Sequence, residues 1–163
     1  MRRFSLREPL NSPTDPDSET VVFTATLSAA NEVPPVTGAE ANATGSITIT
    51  MEVTRDSSDN ITEAQADFNG AGIPRRWRGT IIIAHIYRGA AGAEGDIEVD
   101  SGLTAGAAIP IANGSATLTF GDRTVEPEDA EDILDNPAGF YFNVHSALNT
   151  GGVVRGQLVR EGS

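Results

Sequence analysis

The 163-residue chain contains no cysteine and no lysine, only two histidines, and 6% aromatic residues. Without thiols, zinc fingers, thiolate clusters, redox motifs and a cysteine nucleophile are excluded. Without lysine, Schiff-base catalysis is excluded too, and every cation is an arginine fork suited to carboxylate or phosphate. No stretch approaches the roughly 20 apolar residues that span a bilayer, so membrane insertion is not expected. Met1 to Asn11 begins with an arginine pair but lacks the apolar core of a secretory signal.

What is present is acid. Eleven cations against 23 carboxylates give 11 − 23 = −12, a field that repels nucleic-acid phosphates and anionic headgroups, so nucleic acid is not expected as a partner. The length is that of one domain able to bury its own core. Residues 1–19, rich in Pro, Ser and Asp, read as a disordered leader, and residues 20–163 as one domain.

From Glu19 onward the apolar residues recur at every second position, as in a strand that buries one face. Val21, Phe23, Ala25 and Leu27 form one such set, and Ile47, Ile49, Met51 and Val53 another. Asp56 to Asn60 has the side chains of a hairpin turn leading into a strand over Ala64 to Phe68. Further strands are predicted over Thr80 to Tyr87, Asp96 to Val99, Ser115 to Phe120, Phe140 to His145 and Val153 to Arg160. Seventeen glycines and nine prolines fall mostly between these runs. One helix is predicted, Pro127 to Leu134, with proline in its first turn and acids where the helix dipole favours them. The expected fold class is all-β: a single antiparallel Greek-key sandwich or flattened barrel of about eight strands, with one short crossover helix.

His85 and His145 each lie near the end of an apolar strand. Strand alternation puts His85 on a face with Ile83 and Tyr87, and His145 on a face with Asn143 and Tyr141. If the two strand ends meet, His85, Tyr87, Asn143 and His145 form a polar cluster at a common rim. Two readings of the imidazoles are open: a copper or zinc site, with Asp96 or Glu98 as an added carboxylate, and a structural pair bonded to loop backbone. Arg75, Arg76, Trp77 and Arg78 form the one locally positive patch, suited to a carboxylate or planar anion, or to internal pairing with acids. The acids from Glu126 to Asp135 lack the spacing of a calcium loop and read as a solvated helix face, and Asp96, Glu98 and Asp100 as an outward strand face.

Three separated segments resemble the CHRD (chordin-type) domain family, in the family's order and over roughly residues 22 to 160. They are Leu27-Ser28-Ala29-Ala30-Asn31-Glu32-Val33-Pro34-Pro35-Val36, Ala84-His85-Ile86-Tyr87-Arg88-Gly89, and Tyr141-Phe142-Asn143-Val144-His145-Ser146 through Asn149-Thr150-Gly151-Gly152-Val153-Val154-Arg155-Gly156-Gln157-Leu158. This chain has His85-Ile86-Tyr87 where the family usually has His-x-His, and Asn149-Thr150-Gly151-Gly152 where it usually has Asn-Pro-Gly-Gly. The resemblance implies a β-sandwich and, in animals, extracellular binding of growth factors. The expectation is a non-enzymatic binding or surface module, outside the cell or at its surface, for a protein or small anionic ligand, with no cofactor unless copper or zinc is held by His85 and His145. The rival expectation is a cofactor-independent cyclase or isomerase that uses an apolar pocket inside the β-fold. The oligomeric state is left open.

Overall fold

The computed structural model describes residues 17–73, 79–111 and 114–162. Among them ten strands form one antiparallel sheet: β1 (Asp17–Ser28), β2 (Thr44–Arg55), β3 (Ile61–Ile73), β4 (Thr80–Arg88), β5 (Ile97–Asp100), β6 (Ile109–Pro110), β7 (Ala116–Val125), β8 (Phe140–Ser146), β9 (Val154–Gln157) and β10 (Val159–Arg160). The order across the sheet is β5-β4-β8-β9-β1-β2-β3-β7, with β10 added to β1 and β6 to β4. The sheet curls until its ends approach: β5 contacts β7, and the Arg123 guanidinium of β7 lies against Gly102, just past β5. The result is a nearly closed, flattened all-β barrel.

Alternation in the sequence sets which face turns inward. Val21, Phe23, Ala25 and Leu27 pair in register with Met51, Ile49, Ile47 and Gly45, and both apolar sets are almost fully buried. Ala64, Ala66 and Phe68 continue the inward face on β3, Ala84 and Ile86 on β4, and Phe142 and Val144 on β8. Phe68 and Phe142 meet across the interior with ring centroids 5.7 Å apart. The interior is therefore filled with side chains, as expected for a barrel of this strand number.

The β2–β3 turn forms through Asp56, whose Oδ1 accepts the backbone N–H of Ser58 at 2.8 Å and of Asn60 at 3.0 Å. Helix α1 (Pro127–Asp135) has Pro127 in its first turn and buries Ala130, Ile133 and Leu134. Its acids are more than a solvated face. Asp132 meets Arg88 at 2.7 Å and Glu131 meets Arg55 at 3.1 Å, joining the helix to β4 and β2. No helix among the described residues is long and apolar enough to cross a membrane.

Several boundaries differ from those expected: β3 runs from Ile61 to Ile73 rather than over Ala64 to Phe68, and β7 runs on to Val125 rather than ending at Phe120. β1 begins at Asp17, so Asp17 to Glu19, assigned to the leader, pair with Arg55 to Val53, while residues 1–16 lie outside the described residues. The single strand expected over Val153 to Arg160 is two short strands separated at buried Leu158: β9 lies between β8 and β1, whereas β10 pairs with β1. Ile109–Pro110 pairs with β4, although two residues are too few to show a period.

Two substitutions test this packing. A Cβ at Gly156, on β9, would lie 2.2 Å from the Thr26 carbonyl oxygen, whereas one at Gly151 would meet nothing within 4 Å. Gly156→Ala is expected to lower unfolding free energy by more than about 1 kcal/mol, while Gly151→Ala stays within about 0.5 kcal/mol. Phe142→Ala, which opens a cavity beside Phe68, should cost about 3–5 kcal/mol. Urea denaturation of the three variants reads all of these.

Candidate functional site

The strand register brings the predicted cluster together. On the outer face of the barrel His85 is opposite Asn143 and Tyr87 is opposite Tyr141, while His145 is opposite Ile83, one step diagonal to His85. β9 continues the layer, with Arg155 opposite Asn143 and Gln157 opposite Tyr141. An outward face normally meets water, but here Tyr141, His85, Asn143, His145 and Arg155 are all buried. Loops from three parts of the chain cover them.

Arg155 organises the cover. Its guanidinium donates to the carbonyls of Ala93 at 2.8 Å and Ala90 at 3.3 Å, fixing the β4–β5 loop. Its Cζ lies 3.5 Å over the Tyr141 ring, and Tyr141 stacks on Tyr87 with centroids 5.3 Å apart and planes 10° apart. The Arg155 carbonyl accepts the Asn31 side-chain amide at 3.1 Å, anchoring the segment after β1. Gln157 ties the same end down by donating to the carbonyls of Gly89 and Ala138.

The Tyr87 hydroxyl and His145 Nε2 are 2.9 Å apart, and His145 Nδ1 is 2.8 Å from the Thr150 carbonyl oxygen. A carbonyl only accepts, so Nδ1 carries the proton of the neutral ring and Nε2 accepts from the tyrosine hydroxyl. Tyr87 stands where the resemblance has a second imidazole, and it occupies the His145 nitrogen with its own proton. Burial holds His145 below the usual histidine range and lifts Tyr87 to about 12, with Tyr141, Glu32 and Asp100 adding to that rise.

His85 Nδ1 lies 3.3 Å from the Ser101 backbone N–H, which donates to it, and 3.2 Å from Asp100 Oδ1. Burial pushes the ring below its ordinary range, Asp100 raises it and His145 lowers it further. The carboxylate beside His85 thus comes from Asp100 rather than from Asp96 or Glu98. Glu98 instead receives Arg88 at 2.8 Å, while Asp96 and Asp100 are exposed. Among the described residues no group of three or more His, Asp or Glu is placed to hold a metal ion.

Two carboxylates escaped the sequence reading. Glu32, after β1, is buried over the layer, with its Oε2 3.4 Å from the Asn143 side-chain nitrogen. Burial, the largest influence, lifts Glu32 to about 7 against Arg155 and the Asn143 amide, with Glu94 adding to the rise. Glu40 is also buried, and its Oε2 accepts from Ser146 Oγ at 2.7 Å and from the Asn149 amide. Gly152, at φ 132°, lets the β8–β9 loop pass this close: a Cβ there would lie 2.6 Å from Glu32 Oε2. Position in the segments Asn31-Glu32-Val33 and Val154-Arg155-Gly156 was the available signal for Glu32 and Arg155; charge alone suggested a surface.

Two recesses open beside Glu32. One, of about 490 Å³, lies between Ala30 to Val33, Ala91-Gly92 and Arg155 to Gln157. The other, of about 510 Å³, lies between Val33 to Thr37, Glu94 and Leu148 to Gly152, and Leu148 is 63% exposed in it. The Arg75-Arg76-Trp77-Arg78 patch lies outside the described residues.

Tyr87→Phe removes the donor to His145 Nε2 and leaves a buried ring nitrogen unpaired. The expected loss is about 1–3 kcal/mol in denaturant titrations. Long-range ¹H–¹⁵N correlation of the unmodified protein above pH 7 should place the His145 proton on Nδ1; a proton on Nε2 contradicts this geometry.

No curated protein and no solved structure matches the chain. The family model of the CHRD domain matches residues 23–158, a span that runs from β1 to the turn between β9 and β10 and takes in the whole buried polar layer together with the loops that cover it. The chain therefore belongs to the CHRD domain family.

Proposed function

We propose that this CHRD domain is a non-enzymatic binding module, acting outside the cell or at its surface, whose recognition surface is the loop-covered end of the barrel beside Glu32. The supporting observation is the contrast between the two faces of β4, β8 and β9. Their inner face is packed solid with Ala84, Ile86, Phe142, Val144 and Val154. Their outer face supports three loops and the two recesses. A rigid sheet carrying loops is the usual architecture of a grafted site.

A cyclase or isomerase pocket within the fold would need interior space that these side chains occupy. The polar groups of the outer layer are also largely committed to one another, as a supporting scaffold requires. Tyr87 serves His145, His145 serves Thr150, and Arg155 serves Ala90, Ala93 and Tyr141.

The recess lining bears on ligand class. Glu32 and Glu94 contribute carboxylates, and Val33, Pro34, Pro35, Val36 and Leu148 contribute apolar surface. This surface suits a protein segment or small molecule with an apolar body and hydrogen-bond donors. Recognition of an anion rests on Arg75, Arg76, Trp77 and Arg78.

Fragment screening by ¹⁵N chemical-shift mapping, with a general fragment library at millimolar concentration, tests the location. Perturbations are expected to concentrate in residues 29–37, 89–95 and 146–153, and Leu148→Asp should weaken the hits in the recess that Leu148 lines at least tenfold. Hits gathered on Tyr87, His85 and Asp100, or within the barrel, would overturn the reading.

A further inference from the structure

Hydrogen-bond accounting around Glu32 leaves two atoms without partners. Both Glu32 Oε1 and Asn143 Oδ1 are buried and unbonded. Their sister atoms, Glu32 Oε2 and Asn143 Nδ2, face each other at 3.4 Å. Both orphans are acceptors, and two acceptors cannot satisfy one another while Glu32 is ionised. A proton on Oε1 makes that atom a donor, and a carboxylic acid that pairs in plane with a primary amide satisfies all four atoms, Nδ2–H to Oε2 and Oε1–H to Oδ1.

We propose that Glu32 and Asn143 form a proton-linked latch: the neutral acid pairs with the amide and holds the Ala29 to Thr37 segment against β8 and β9, and loss of the proton to solvent releases it. The latch deepens the binding reading, since the segment is the wall shared by both recesses and Glu32 and Val33 line each of them. It depends on that reading only for its consequence.

The surroundings favour the neutral form. The groups facing Glu32 are Arg155 from β9, Asn143 and Tyr141 from β8, Tyr87 from β4, and Glu94 from the β4–β5 loop. Arg155 and the long Asn143 amide bond support the anion, but the Arg155 guanidinium is committed to two loop carbonyls and the Tyr141 face. Glu94 and burial oppose the anion. Gly152 of the β8–β9 loop closes one side of the carboxyl.

The sign of the pH dependence follows. The closed form binds the proton more tightly than an open form whose carboxyl has its ordinary value of 4.5. Closure is therefore fully favoured below that ordinary value, weakens as pH climbs to about 7, and is constant above. Between pH 6 and 8.5 the opening constant should rise about tenfold. Burial holds both histidines below their usual range, the direction opposite to that of Glu32. Asp129, raised to about 6, sits on α1 beside Glu98 and Arg88.

The test uses the full chain without any ligand, so it stands or falls independently of where fragments bind. Carboxyl-detected NMR should show Glu32 titrating near 7. Amide exchange, corrected for intrinsic rates, should show about a tenfold loss of protection between pH 6 and 8.5 at Val36, whose N–H donates to the Ala29 carbonyl at 3.1 Å. Glu32→Gln supplies the permanent donor that the neutral acid provides and should remove this pH dependence; Asp129→Asn should leave it intact. A Glu32 midpoint in the ordinary carboxylate range overturns the latch, as does an undiminished rise in Glu32→Gln. The wild-type titration decides the matter if the glutamine variant does not fold.

Discussion

The burial of β8 on both faces is the constraint on which the rest of the molecule depends. Each of its seven residues, Phe140 to Ser146, is buried, although the strand alternates as a half-exposed strand would. Phe140, Phe142 and Val144 enter the apolar interior, and Tyr141, Asn143 and His145 enter a second, polar layer outside it. A polar group taken from water costs free energy unless its hydrogen bonds are replaced. The outer layer must therefore be supplied with partners by whatever covers it, and that requirement places the loops. Thr150 turns its carbonyl to His145, Ala90 and Ala93 turn theirs to Arg155, and Glu32 comes down on Asn143.

The cover in turn explains why so many of the chain's less common residue choices fall in three short segments. Gly152 admits the β8–β9 loop, Asn31 pins the segment after β1 to the Arg155 backbone, and Gln157 stitches Gly89 to Phe140. Arg155 acts as the central strut because a guanidinium can donate in its plane while its face rests on an aromatic ring. A lysine there would offer a point charge and no plane. The chain has no lysine, and at this position the reason is geometric.

The strand pattern was legible because one-sided burial writes a period of two into β1, β2, β3 and β7, and Pro127 with its following acids marks α1. The meeting of His85, Tyr87, Asn143 and His145 was also within reach, since alternation fixes which residues share a face. What alternation does not contain is burial of the other face. Glu32, Glu40 and Arg155 are charged residues next to turn residues, a pattern that reads as surface. Only the arrangement of three distant loops reveals them as interior. The pairing of β5 with β4 likewise decides that Asp100, rather than Asp96 or Glu98, reaches His85, and pairing is a long-range fact that a local pattern does not carry. Two-residue strands such as β6 lie below the length at which any period can be seen.

A buried polar layer holding few charges has a preferred pH, and here its members pull in opposite directions. His85 and His145 are held below their ordinary range, so acid must force protons onto buried rings and weakens the fold as pH falls through their titration. Glu32 is held above its ordinary range, so base must place an anion among groups arranged for a neutral acid and weakens its segment as pH rises. The layer is most cohesive where both imidazoles and the carboxyl are uncharged, leaving Arg155 as the cation balanced by carbonyl dipoles and an aromatic face. Tyr87 fits the same logic: where a second imidazole would add another titrating group, a phenol lifted to about 12 stays neutral across the whole range and still donates to His145. With Tyr87 donating to Nε2 and the Thr150 carbonyl accepting from Nδ1, both His145 nitrogens are bonded and the ring is held in one tautomer.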